Sequence, residues 1–170
     1  PGKVPKTMNN QHTTQTLNYY NQNAAQFSDS TQSLDFASVQ DKFLSFLQPQ
    51  AHILDFGCGP GRDTKYFLSH GCSTDAIDGS EEFCRIASEY AGIPVKQMLF
   101  QEMNASEEYD GIWACSSILH STYDDLKDIL KKLARALKKE GILYASFKYG
   151  DFEGMRNGRY FIDMTEDKLQ

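Results

Sequence analysis

The stretch Ala51-His52-Ile53-Leu54-Asp55-Phe56-Gly57-Cys58-Gly59-Pro60-Gly61-Arg62-Asp63-Thr64 decides the fold. Ile53 and Leu54, with Phe56 following, form an apolar, β-prone run. It ends in glycines at alternate positions, Gly57, Gly59 and Gly61, and a helix-compatible segment follows. Glycines at a strand-to-helix turn let the backbone approach a ligand closely, and the helix N-terminus offers unpaired N–H donors. A dinucleotide fingerprint reads G-x-G-x-x-G, usually without a carboxylate just before it. Here the spacing is G-x-G-x-G, and Asp55 stands two residues before the first glycine. An acid at that place repels a pyrophosphate and suits a ligand carrying positive charge, which disfavours a dinucleotide-dependent oxidoreductase.

A sulfonium with an ammonium group meets that requirement, and the segment resembles the first motif of the class I S-adenosylmethionine-dependent methyltransferases. The resemblance implies a Rossmann-like three-layer α/β sandwich with a mostly parallel sheet. It also implies S-adenosyl-L-methionine as cofactor and methyl transfer to a small-molecule acceptor. It extends from about Tyr19 to the chain end, and the stretches Gly141–Gly150 and Gly158-Arg159-Tyr160-Phe161 are most similar to small bacterial methyltransferases, including the tellurite-resistance-like group. The glycine motif reports cofactor binding alone, so a non-catalytic S-adenosylmethionine-binding regulatory module is the alternative.

Working outward, residues 13–28 read as a helix with Leu17, Tyr20 and Ala24 on one face, then a bend through Ser28-Asp29-Ser30. A second helix is expected from Leu34 to Leu47, stopped by Pro49. After the glycine turn come a helix over Asp63–Ser69 closed by Gly71, and a strand over Ser73–Ile77 ending at Asp78. A helix capped by Ser80 then runs to Tyr90. A weak strand is expected over Val95–Leu99, a strong one over Tyr109–Cys115, a lysine-rich helix over Tyr123–Lys138 and a strand over Ile142–Phe147. Residues 151–159 read as loop, Tyr160–Asp163 as a short strand, and Thr165 as the hydroxyl cap of a final helix. Strands and helices alternating at this spacing imply right-handed crossovers and helices on both faces of the sheet. Only five strands precede Phe147, so the sixth and seventh strands of the resembled fold are expected to be missing, leaving the fifth as an edge open to homodimerisation.

The 170 residues suffice for one domain with a substantial core. We expect residues 1–12 to be a loose tail or tag remnant and residues 13–170 to be a single methyltransferase domain, C-terminally incomplete, with N-terminal cap helices. The net charge of −6 leaves no overall basic footprint for nucleic acid. The one basic cluster, Lys127–Lys139, alternates with Leu126, Ile129, Leu130, Leu133 and Leu137 at helical spacing and reads as a solvated helix face. No apolar run is long enough for a bilayer. The four cysteines, Cys58, Cys72, Cys84 and Cys115, show no C-x-x-C pairing or metal spacing; free thiols in a cytoplasmic protein are the expectation, with no metal.

Asp78, at the end of the second strand, is placed to accept two hydrogen bonds from a ribose diol. The cofactor-binding set expected from the resemblance is Tyr20, Asp55, Gly57, Cys58, Gly59, Gly61, Asp78, Gly79, Met98, Leu99 and Cys115. Where relatives carry an acid near the adenine, this chain has Gln97-Met98-Leu99, with Asn104 a little further on, so backbone groups and apolar packing should hold the base. Tyr19, Tyr20 and Phe27 form an aromatic set able to lid the cofactor. His120, in the loop after the fourth strand, is the candidate general base, whereas Trp113 reads as core. Arg159 and Lys148 lie beyond the fifth strand, where an acceptor anion could meet them.

Overall fold

Ile53 and Leu54 sit on opposite sides of their strand, as do Ile112 and Trp113, and all four are essentially inaccessible to water. A strand buried on both faces belongs to a sheet covered by helices on both sides. The computed structural model describes residues 7–170 and shows that sheet. Strands β1 (His52–Phe56), β2 (Ser73–Asp78), β3 (Lys96–Gln97), β4 (Tyr109–Ala114) and β5 (Leu137–Ala145) run parallel in the order β3-β2-β1-β4-β5. The order reverses between β1 and β4, the point where parallel sheets open a cleft at their carboxyl ends.

Helices α1 (Thr7–Gln32), α2 (Ala37–Leu44), α3 (Arg62–Ser69), α4 (Glu81–Ala91), α5 (Tyr123–Ala136) and α6 (Glu166–Leu169) complete the layers. One core packs Leu54, Phe56, Ile112 and Ala114 against Leu126, Ile129 and Leu133 of α5. The other sets Ile53 and Trp113 against Phe43 of α2 and Phe67 of α3. The leucine stripe of α5 is therefore buried, and Lys127, Lys131, Lys138 and Lys139 are exposed. Ser80 caps α4 as expected, its Oγ accepting the Phe83 N–H. Thr165 occupies the N-cap of α6 without the expected side-chain bond.

Several expectations are corrected. α1 is one continuous helix through Ser28 and Ser30, whose hydroxyls donate to carbonyls one turn back instead of breaking the chain. It begins at Thr7, inside the stretch expected to be a tail, and is anchored there by His12 packed on the Tyr160 ring at 4.7 Å; residues 1–6 lie outside the described residues. α2 is shorter than its apolar pattern, which continues into turns, and β3 keeps only two residues of ladder. β5 starts at Leu137, not Ile142: Leu137 pairs with Tyr109 and Ile142 with Gly111, and the extra residues are absorbed in an irregularity where Glu140 takes φ +67°. The stretch expected to be a loop is an antiparallel hairpin, β6 (Glu153–Arg156) with β7 (Arg159–Ile162), separate from the main sheet. Its turn is Asn157-Gly158 with φ +50° and +80°, the left-handed pair that a two-residue hairpin turn needs.

Candidate functional site

The carboxyl ends of β1, β2 and β4 border a cleft with about 740 Å³ of non-atom space, part of it open to solvent. Gly57 and Gly59 after β1, Asp78 and Gly79 at the end of β2, Met98, Leu99 and Phe100 after β3, and Ser116, Ser117 and His120 after β4 line it. Thr16, Leu17, Tyr20 and Phe27 of α1 roof it.

Gly57 and Gly59 have left-handed backbones, φ +81° and +54°. A Cβ on Gly57 would stand 2.4 Å from the Ser117 Cβ, so glycine is required for β1 and the loop after β4 to meet. A Cβ on Gly59 would meet nothing within 4 Å, which leaves backbone open to a ligand. Asp78 orders the turn: one carboxylate oxygen accepts the Gly59 N–H at 2.9 Å and the other the Ser80 N–H at 2.8 Å. Burial nevertheless pushes its pKa up to about 6.

Of the residues expected to bind cofactor, Tyr20, Gly57, Gly59, Asp78, Gly79, Met98 and Leu99 line the cleft, as does His120. Asp55, Cys58, Gly61 and Cys115 do not. Asp55 lies beneath the turn, 1 % exposed, accepting the Thr64 hydroxyl at 2.6 Å. Burial first, and then the Asp63 charge, raise its pKa well above the carboxylate range. Gly61 ends the turn against Ala87, letting α3 and α4 approach. The Cys58 side chain is packed near Ala76 and Ala87, and Cys115 joins the Trp113 cluster on the face covered by α2 and α3. Asn104 is exposed, while Gln97 donates to the Gly79 carbonyl at 3.3 Å.

At the far end, His120 Nδ1 faces the Tyr160 carbonyl at 2.7 Å and Nε2 faces the Tyr20 hydroxyl at 2.7 Å. A carbonyl only accepts, so Nδ1 carries the proton and Nε2 receives the Tyr20 O–H. Burial, helped by the Arg159 and Lys148 charges, lowers the His120 pKa to about 4 against the opposing bond to Tyr160. Arg159 Nη1 donates to the same Tyr20 oxygen at 3.3 Å. The aromatic set is present: Tyr20 meets Phe27 edge-on at 5.5 Å and Phe83 at 5.3 Å. Sequence reasoning missed Ser116, Ser117 and Ser121 as lining residues, although their place at the end of a central strand was a signal. Phe83, Phe100, Thr13 and Thr16 gave none.

A methyltransferase-domain family model matches residues 53–141, from the first strand through the start of the fifth. The chain belongs to the methyltransferase domain family. The chain is 29% identical over 99 residues to a malonyl-[acyl-carrier protein] O-methyltransferase of Enterobacter lignolyticus, covering 55% of this chain and 37% of the relative. Its counterpart from Salmonella typhimurium is 26% identical over 118 residues, covering 66% and 45%. The chain thus spans less than half the length of these curated relatives. Its fold superposes on the Burkholderia thailandensis 1,6-didemethyltoxoflavin-N1-methyltransferase with a TM-score of 0.78 at 21% identity, covering 99% of this chain and 79% of that one. A putative sarcosine dimethylglycine methyltransferase from Galdieria sulphuraria gives 0.53 at 31% identity, covering 63% and 42%. The class I methyltransferase architecture expected from the glycine turn is the one observed.

Proposed function

We propose that this methyltransferase binds S-adenosyl-L-methionine and transfers its methyl group to a small-molecule acceptor. The observation that carries the reading is the cleft itself, in which open glycine backbone, the Asp78 carboxylate and an apolar Met98–Phe100 end face one another beneath α1. These groups fit the cofactor. Gly59 leaves room for close approach, Asp78 keeps acceptor capacity for a ribose diol, and Met98, Leu99 and Phe100 offer apolar faces to a base. The family match and the small molecule, 1,6-didemethyltoxoflavin, named for the Burkholderia enzyme support the same reading.

Bound in the cleft, the cofactor supplies a methyl group already activated on a sulfonium. The protein's part is then positioning and exclusion of water. Asp78 and the glycine turn fix one end of the ligand, and α1 covers it with Leu17, Tyr20 and Phe27. Asp55 contributes from below: bonded to Thr64, it ties α3 to β1 and keeps the turn in shape. His120, its Nε2 engaged by Tyr20, orients that tyrosine. We place residues 7–170 in one domain, in which α1 is the cap. The free, mostly buried thiols support a cytoplasmic setting. The acidic balance and the solvated α5 lysines support an acceptor other than nucleic acid.

Calorimetric titration with S-adenosylhomocysteine and with NAD tests cofactor choice; NAD binding with no response to S-adenosylhomocysteine would overturn the reading. A methyl-transfer assay over a panel of acceptors separates an enzyme from a non-catalytic binding module. The module reading gains if the cofactor binds tightly and no acceptor is methylated.

A further inference from the structure

We infer that the methyl acceptor presents a carboxylate to the His120 end of the cleft, with Arg159 and Lys148 as its counter-charges. The inference rests on the methyl-transfer reading above. Among the partly buried arginines, Arg62 pairs with Asp63 at 2.9 Å and Arg156 with Asp163 at 3.0 Å. Arg159, three residues beyond Arg156 on the same hairpin, has no carboxylate partner among the described residues. Its guanidinium lies 4.6 Å from the Tyr19 ring centroid, 5.1 Å from Phe161 and 5.6 Å from Tyr20. Nη1 donates to the Tyr20 hydroxyl, and Nε is buried with no partner. A cation held in an aromatic cage with most of its five donors unspent is built to meet an anion that comes and goes.

Lys148 adds a second positive charge, its ammonium 5.6 Å from the Phe161 ring. The charged side chains that act on His120 are these two, both cationic. Tyr20 lines the cleft, and Arg159, which like Lys148 is outside its lining, donates to the Tyr20 hydroxyl. An anion seated on the cleft side of Tyr20 and His120 thus lies in the guanidinium's field without disturbing the cage.

The same end of the cleft lacks a free base. His120 Nε2 already receives the Tyr20 proton, so an acceptor that must lose a proton finds no ready partner there. A carboxylate is ionised at neutral pH and needs none. In the transfer a carboxylate oxygen forms the new O–C bond, the S–C bond breaks with its electron pair left on sulfur, and no proton moves. The products, a methyl ester and a thioether, are both neutral at the reacting atoms, so the ester loses its hold on Arg159 and departs.

The test uses protein loaded with S-adenosylhomocysteine and titrates malonate and propionate against the isosteric malonamide and propionamide, by calorimetry or ligand-observed NMR. The carboxylates should bind and the amides should not. Arg159→Gln should weaken malonate binding at least tenfold while changing S-adenosylhomocysteine affinity less than twofold. Arg159→Lys, which keeps the charge, should retain most of it, and Lys131→Gln on the exposed face of α5 should behave as wild type. In turnover assays, esters should form at a kcat that is flat between pH 6 and 9. Equal binding of amides, unchanged malonate affinity in Arg159→Gln, failure of any carboxylate to bind, or methylation of amines alone would overturn the inference. Failure of wild type to bind S-adenosylhomocysteine would instead strike the function proposed above.

Discussion

The Asp78 carboxylate accepts the backbone N–H of Gly59 at 2.9 Å, so the last residue of β2 holds the glycine turn that follows β1. One side chain therefore shapes the turn and is offered to the ligand, and its substitution should show both roles. Asp78→Ala should weaken S-adenosylhomocysteine binding by about 1–3 kcal/mol, the scale of a lost charge-assisted hydrogen-bond pair. Calorimetric titration reads this directly. Undiminished affinity would remove Asp78 from the ligand contacts.

Asp78 also gives the cofactor-free protein a defined pH dependence. Its folded pKa, about 6, lies above the ordinary 3.8, so its contribution to stability is full below about pH 4 and lost as pH rises through 6. Asp78→Asn lacks that slope. Between pH 4 and 6.5 the unfolding free energy of wild type should fall relative to the variant by about 2–3 kcal/mol. Urea unfolding across that window is the check, and parallel curves for the two proteins would contradict it.

His120 should act in the opposite sense. Its folded pKa of about 4 lies below the usual 6.5, so its contribution is full above pH 6.5 and is lost as pH falls toward 4. His120→Gln, which keeps hydrogen-bonding capacity, should therefore be less sensitive to acid than wild type, by up to about 3 kcal/mol. In wild type the two slopes partly cancel, so Asp78→Asn exposes the His120 slope and His120→Gln exposes the Asp78 slope. Proton NMR of the His120 ring gives the pKa itself.

Gly57→Ala should be the most damaging glycine change. The new Cβ meets the Ser117 Cβ at 2.4 Å with φ at +81°, which combines overlap with backbone strain. The expected cost is about 2–4 kcal/mol of stability, with loss of cofactor binding. Gly59→Ala meets open space and carries only the left-handed penalty, about 1–2 kcal/mol. Its methyl, however, intrudes where a ligand would approach. Melting temperatures and cofactor titrations together should therefore separate the two: Gly57→Ala loses both, Gly59→Ala chiefly binding.

Beneath the turn, Asp63 gathers the Trp113 indole N–H at 3.0 Å, the Gln40 amide at 2.6 Å and the Arg62 guanidinium at 2.9 Å. Asp63→Ala strands two buried donors and the partly buried Arg62 guanidinium, and should cost about 3–5 kcal/mol. Trp113→Phe removes a single donor and should cost less than half as much. Urea midpoints of the two variants, with S-adenosylhomocysteine affinity as the second readout, test this ranking.

Much of the scaffold is legible locally. Glycines at alternate positions after Ile53-Leu54-Asp55-Phe56, a serine cap before Glu81-Glu82 and the leucine stripe of α5 each state a backbone preference within a few residues, and each is where the sequence places it. Asn157-Gly158 was equally legible as a hairpin turn; its flanks, short of apolar alternation, hid it. Three-dimensional packing decided what lies at the His120 end of the cleft. Tyr20 meets His120 across 100 residues of chain and Arg159 across 139, contacts that no periodicity encodes, because α1 and the hairpin are brought together only by folding over the sheet. The same holds for Asp55. Its position before the glycines pointed to a ligand, and the strand's pleat turned it instead into the interior, where Thr64 was the donor within reach. Sequence by itself determined the fold and the glycine turn, since both rest on local backbone chemistry; which side chains meet at the His120 end of the cleft was decided by tertiary structure, since that depends on which distant elements share a wall.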